Sequence, residues 1–114
     1  MKKNTETKTP PKCTCAVMEA FEVLGGKWKL PAIWIISMDE GIRYNELKRK
    51  LTGITNTMLT RVLRSLEDEN LIYRKELNQI PPHVEYYLTD DSKELLPALD
   101  VIRDWGRQHF GKDE

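Results

Sequence analysis

One succession of patterns between Arg43 and Thr89 constrains the fold more than anything else in the chain. A short amphipathic helix is followed by a tight turn, a second helix, a strand, a proline-tipped loop and another strand. The first helix is Arg43-Tyr44-Asn45-Glu46-Leu47-Lys48-Arg49-Lys50-Leu51, with Tyr44, Leu47 and Leu51 on one face and Lys48, Arg49 and Lys50 on the other. The turn is Thr52-Gly53-Ile54. The second helix spans Thr55 to about Glu69, with Thr55 suited to its N-cap because a hydroxyl there accepts from an amide of the first turn. Leu59, Val62, Leu63 and Leu66 share one stripe at helical spacing, and Thr57, Thr60, Arg61 and Arg64 share the opposite side. Ile72–Leu77 and Val84–Leu88 read as strands on either side of Pro81-Pro82. The pattern is that of a helix-turn-helix followed by a β-hairpin wing, so the fold class is mainly α with a small hairpin. This arrangement can set one helix into a DNA major groove.

The flanks add helices. Val17, Ala20, Phe21 and Leu24 recur at helical spacing and predict a helix over Cys15–Leu24, ended by Gly25-Gly26. A second helix, Lys27 to about Met38, is apolar almost all round and belongs at the centre of the domain. Pro31 fits its first turn. After the wing, Thr89 caps a last helix that runs to about Phe110, with Pro97 expected to kink it. Its apolar side, Leu95, Leu96, Leu99, Ile102 and Trp105, has little of its own domain left to cover. A dimer interface follows, built from Val17, Phe21, Leu95, Leu99, Ile102 and Trp105, with the last helix of one protomer against helix one of its partner. Two recognition helices then sit roughly 34 Å apart, one turn of DNA. Residues 13–110 form one domain between a flexible polar tail, 1–12, and a short C-terminal tail, 111–114.

Charge narrows the class of partner. The formal net charge is zero, but its distribution is uneven. Residues 42–75 hold eight Lys or Arg against four Asp or Glu, and residues 76–114 hold four against nine. Attraction to phosphate depends on the local charge of the binding face. With 39% apolar and 32% charged residues, the chain has the composition of a soluble folded domain. No run is long or apolar enough to span a membrane as a helix, and the N-terminus lacks an apolar signal core, so a cytoplasmic protein is expected. There is no nucleophile–base–acid set and no phosphate loop, so no enzyme is expected. Cys13-Thr14-Cys15 is the only Cys-x-Cys pair, and zinc needs four ligands; neither metal nor cofactor is expected.

Candidate DNA-contacting residues fall into three groups. Thr55, Asn56, Thr57, Thr60, Arg61 and Arg64 lie along the second helix of the motif, where Arg suits guanine and Asn suits adenine. Arg43, Asn45, Lys48, Arg49 and Lys50 suit the phosphate backbone, a contact that is blind to sequence and sensitive to salt. Arg74, Lys75 and His83 flank the wing tip, with His83 read as a solvated turn residue. Each of these is also what a plain solvated face would carry; it is the order of basic helix, short turn and second basic helix that favours DNA. The aromatics Trp28, Trp34, Trp105 and Tyr86 stand at core spacing rather than as a ligand pocket.

Taken together, several blocks resemble the HxlR family of bacterial winged-helix regulators, relatives in fold of the MarR group. These are Cys15, Leu24-Gly25-Gly26-Lys27-Trp28-Lys29-Leu30, Arg43-Tyr44-Asn45-Glu46-Leu47, Gly53-Ile54-Thr55-Asn56, Leu63-Arg64-Ser65-Leu66-Glu67, Pro81-Pro82-His83-Val84-Glu85-Tyr86-Tyr87-Leu88-Thr89 and Leu96-Pro97-Ala98-Leu99 with Trp105-Gly106. The resemblance covers about residues 13–110. It implies a homodimeric transcriptional regulator of double-stranded DNA whose outer helices make the dimer, and a thiol-sensing role for Cys15. Ala16, Asn70 and His83 depart from the proline, glycine and arginine common at those places, and Cys13 is an extra thiol. A thiol at the start of helix one lies at the positive end of the helix dipole, with Lys12 nearby, and both favour the reactive thiolate. Two other readings share the fold: a regulator answering to a small molecule, and a winged helix that binds protein instead of DNA.

Overall fold

The computed structural model describes residues 15–111. The polar N-terminal tail, Cys13 and residues 112–114 lie outside the described residues. The elements are α1 (Ala16–Leu24), α2 (Lys29–Met38), β1 (Ile42–Arg43), α3 (Tyr44–Lys50), α4 (Asn56–Asp68), β2 (Ile72–Leu77), β3 (His83–Leu88), α5 (Asp90–Lys93) and α6 (Leu96–Phe110).

The core is built around α2. Ala32, Ile33 and Ile36 are fully buried there, and α2 packs on α3, β3 and α6. Leu47 and Leu51 come in from α3, and Ile54 from the turn. Leu59, Leu63 and Leu66 come from α4, while Leu71, Ile72, Tyr86 and Leu88 come from the sheet. The stripe expected on α4 is therefore the buried one. Thr55 caps α4 as its pattern predicts, its hydroxyl oxygen accepting from the Met58 amide at 3.1 Å. The motif's two helices are joined by a turn whose Ile54 is itself part of the core.

The wing is larger than a hairpin. β1, β3 and β2 form a three-stranded antiparallel sheet in that order, with Ile42 opposite Tyr86 and Arg43 opposite Glu85. A two-residue strand has no periodicity to detect, so Arg43 had read as the start of α3. The sheet extends β1 through Gly41, whose amide donates to the Tyr86 carbonyl at 2.9 Å. Gly41 has a φ of 93°, and a Cβ there would lie 3.1 Å from the Tyr87 hydroxyl. Asn70, between α4 and β2, takes a φ of 62°. Asparagine is among the few residues that adopt this conformation readily, so the turn into the wing forms without the glycine common at this place. The Thr89 hydroxyl ties the far end of the wing to that turn by donating to the Asn70 carbonyl at 2.8 Å.

Three further expectations change. α2 starts at Lys29 rather than Lys27, with Pro31 in its first turn as expected. The last helix is two helices: Thr89 caps the short α5, and α6 starts at Leu96 with Pro97 in its first turn. Proline there marks a start, because an amide at that position has no helical acceptor to lose. Finally, Leu99 of the expected dimer interface is 8% exposed and belongs to the core of its own domain, and Leu95 is partly buried against that core. The other four, Val17, Phe21, Ile102 and Trp105, remain exposed, and α1 has no fully buried residue. Arg103 lies over the Trp34 ring at 5.6 Å and holds α6 against α2.

Candidate nucleic-acid interface

With its apolar stripe buried, α4 turns the opposite face outward. Asn56, Thr57, Thr60, Arg61 and Arg64 are all exposed and line one open depression along the helix, which ends at Asp68 and Glu69. Charge therefore changes sign along α4. Arg61 and Arg64 stand about its middle, and a carboxylate pair closes its C-terminal end. A phosphate backbone is attracted to the first and repelled by the second. Among the described residues, Arg61 and Arg64 have no carboxylate partner within ion-pair distance, and neither do Arg43, Lys48 or Lys75.

On α3 the cations are less uniform. Glu46 sits one turn before Arg49 and Lys50, pairing with Arg49 and lying 3.9 Å from Lys50. The Arg49 hydrogen bond holds the Glu46 carboxyl below the usual glutamate range, with the charges of Arg49 and Lys50 adding to it. Glu46 occupies Nε and Nη2 of Arg49 and offsets part of its charge, leaving Nη1 for a phosphate. Lys48 is half-buried, and Asn45 is exposed in the first turn of α3.

The sheet sorts the remaining candidates onto two faces. Arg74 stands opposite Tyr86, on the face turned to the core and α4, and with Tyr44, Thr60, Arg64, Glu67 and Tyr86 it lines a small crevice between α4 and the wing. Its guanidinium reaches Glu76 at 3.0 Å. Lys75 and Arg43 both stand opposite Glu85, and therefore on the outer face. There the Glu85 carboxylate accepts from the Tyr87 hydroxyl at 2.6 Å, and His83 Nε2 approaches it at 3.5 Å. The Tyr87 hydrogen bond, aided by His83, keeps Glu85 below the usual range; the same bond pushes the Tyr87 phenol up. His83 is thus not a solvated turn residue: it opens β3 opposite Leu77 and its side chain is only 14% exposed. The tip itself carries no cation, and Ile80 is fully exposed there.

Sequence reasoning missed two groups. The outer-face pair of Glu85 and Tyr87 stands two residues apart on β3, where strand alternation already puts them on one face; what only the sheet register reveals is that Lys75 and Arg43 stand opposite Glu85. The spacing places Tyr44 on the core side of α3, yet its hydroxyl emerges beside α4: it lies 3.2 Å from the Asn56 carbonyl, 3.4 Å from Asn56 Oδ1 and 3.2 Å from Thr60 Oγ1.

Cys15 occupies the N-cap position of α1 and is exposed. Among the described residues no group of three or more His, Cys, Asp or Glu is placed to hold a metal. No described helix is long and apolar enough to cross a membrane.

Comparison with known proteins adds a family. The family model described as HxlR-like helix-turn-helix matches residues 23–114. An uncharacterized HTH-type transcriptional regulator of Halalkalibacterium halodurans is 45% identical over 86 residues, 75% of this chain and 76% of that protein. Among solved structures, the redox regulator HypR in its oxidized form is 36% identical, with a TM-score of 0.77 over 82% of this chain and 96% of that one. The reduced form of the transcriptional regulator YodB from Bacillus subtilis is 30% identical, with a TM-score of 0.71 over 83% of this chain and 94% of that one.

Proposed function

The chain belongs to the HxlR-like helix-turn-helix family of transcriptional regulators, which are not enzymes, and from that premise we propose that it acts as a homodimer on an inverted-repeat DNA operator. The observation that carries this reading is the exposed face of α4. Five side chains able to meet base edges or phosphates stand together on a helix whose other face is locked into the core. In the proposed complex α4 enters the major groove, Asn56, Thr57, Thr60, Arg61 and Arg64 meet bases and adjacent phosphates, and Thr55 caps the helix at the groove floor. Arg43, Asn45, Lys48, Arg49 and Lys50 follow the backbone, while Arg74, beside α4, and Lys75, on the outer face, carry the charge of the wing toward flanking phosphates and the largely covered His83 supports it through Glu85. The dimer forms through the exposed Val17, Phe21, Ile102 and Trp105, which water otherwise surrounds.

Fluorescence anisotropy against the duplex upstream of the protein's own gene tests the reading. Wild type should bind with strong salt dependence, and a folded Arg61→Ala, Arg64→Ala double variant should not. Equal binding by the two would overturn the assignment of α4 and favour a winged helix that binds protein.

The signal proposed for the regulator is thiol chemistry. Its support is the exposure of Cys15 at the positive end of α1, together with the likeness to a redox regulator. Oxidation or alkylation of Cys15, with Cys13 as a second thiol, would shift α1 in the dimer layer and so move the recognition helix of the partner. Oxidant added to the wild-type complex should change DNA affinity reversibly, and Cys15→Ser should abolish that change. An unchanged response in Cys15→Ser would discard the thiol switch and leave a small-molecule effector.

A further inference from the structure

We infer that the Tyr44 hydroxyl is the positioning group for the reading face of α4, so that discrimination between DNA sequences passes through a residue of the other helix. The inference rests on the DNA-binding reading above and names the device that makes it selective.

Asn56 and Thr60 are exposed and one helical turn apart, and exposed side chains of this kind ordinarily spread over several rotamers. Here both meet one atom. The phenol has a single proton, which the Asn56 main-chain carbonyl at 3.2 Å and Oδ1 at 3.4 Å share, and its oxygen accepts from the Thr60 hydroxyl at 3.2 Å. The result is a chain, Thr60 to Tyr44 to Asn56, in which each bond polarises the next. An Asn56 carboxamide oxygen that accepts once still has a second lone pair, and both amide protons remain. That is the acceptor–donor pair required by the adenine edge in the major groove.

The hydroxyl is a fixed point because everything behind it is fixed. Tyr44 is the first residue of α3, directly after β1, whose Ile42 and Arg43 are pinned opposite Tyr86 and Glu85. One turn on, Leu47 is fully buried, and the Tyr44 ring packs against the core. A ring with two torsions held this way carries its hydroxyl with little freedom. The Tyr44 ring also walls the crevice that holds Arg64 and Arg74, so the hydroxyl sits where helix and wing converge. A phenylalanine would keep the packing and lose only the anchor.

The experiment is a selection of preferred duplexes from a random library, followed by anisotropy on the best duplex and its single-base variants. Proteins compared are wild type, Tyr44→Phe, Asn56→Ala and the double variant, with melting temperatures measured alongside. Tyr44→Phe should melt like wild type but lose roughly tenfold in discrimination at one base position, the scale of a single misplaced base contact. In the Asn56→Ala background Tyr44→Phe should cost nothing further at that position. Undiminished discrimination by Tyr44→Phe overturns the inference. So does an equal loss in both backgrounds accompanied by a lower melting temperature, which would make Tyr44 a plain structural residue. Thr60→Val, which leaves α3 untouched, should reproduce part of the loss even if Tyr44→Phe folds poorly; no loss counts against the inference. If wild type itself enriches no sequence, the DNA-binding reading falls, and the Tyr44 inference with it.

Discussion

The two helical layers of this molecule treat their apolar residues in opposite ways. In the helix-turn-helix and wing, the apolar stripe of each helix is closed over by the same chain: Leu47, Leu59 and Leu66 have no exposed surface. In the outer layer, α1 has no fully buried residue, with only Val23 and Leu24 packed partly on the core, and Phe21 is 60% and Trp105 53% exposed. The first region completes its own core. The second presents an aromatic surface in which Trp105 stacks on His109 at 4.1 Å and meets Phe110 edge-on at 5.8 Å. The difference predicts two classes of mutant, one failing as a fold and one failing as an assembly.

Leu59→Ala should be the most damaging change. Truncating a fully buried leucine between α4 and the core should cost about 2–5 kcal/mol, read by denaturant unfolding, and should remove folding and DNA binding together. A loss under 1 kcal/mol would mean that α4 is not locked to its domain (order of magnitude from the same series). Next comes Phe21→Ala with Trp105→Ala. Sedimentation equilibrium should show dimerisation weakened by about 2 kcal/mol or more, as expected for aromatic anchors, while secondary structure is retained. A pair of variants that assembles like wild type would place the interface elsewhere.

Arg61→Ala and Arg64→Ala sharpen the contrast from the other side. Each should cost about 1–3 kcal/mol of DNA affinity if it meets a base, and should flatten the salt dependence if it meets a phosphate. Both residues are exposed, so melting should move little. The smallest effect lies on the outer wing face. Glu85 is held below its ordinary range chiefly by Tyr87, so its contribution to stability is complete above the unfolded glutamate value and is lost as pH falls through the lower folded value. The Tyr87 phenol, pushed up by the same bond, contributes below the unfolded tyrosine value and loses that contribution as pH rises through the folded one. Tyr87→Phe should raise the Glu85 carboxyl pKa followed by NMR and leave DNA affinity alone. An unmoved carboxyl would show that the pairing is not formed in solution.

Legibility in the sequence tracked the length of the signal. α4 was readable because thirteen residues carry both a cap and a full stripe. β1 was not, because two residues have no period. In the sequence Pro97 suggests a kink, but whether a proline kinks a helix or starts one depends on where the preceding chain turns; here the short α5 ends just before it and Pro97 lies in the first turn of α6. Of the site, the exposed residues of α4 were legible as a set. The partners that hold them were not, since Tyr44 reads as an ordinary core aromatic until its hydroxyl is seen beside Asn56.

What the sequence determined by itself is the run of helix, turn, helix and two strands between α3 and β3, the cap at Thr55, the buried stripe of α4 and the basic character of the opposite face. These follow from periodicity and local hydrogen bonding, which act over a few residues. Only the tertiary structure decided that Leu95 and Leu99 serve the protein's own core while Ile102 and Trp105 do not, that Arg74 faces α4 while Lys75 faces away, and that one phenol meets two side chains of α4. Those outcomes depend on which surfaces distant segments bring within reach of one another. A hydrophobic stripe or a charge pattern records that a face must be covered or solvated, but not by what.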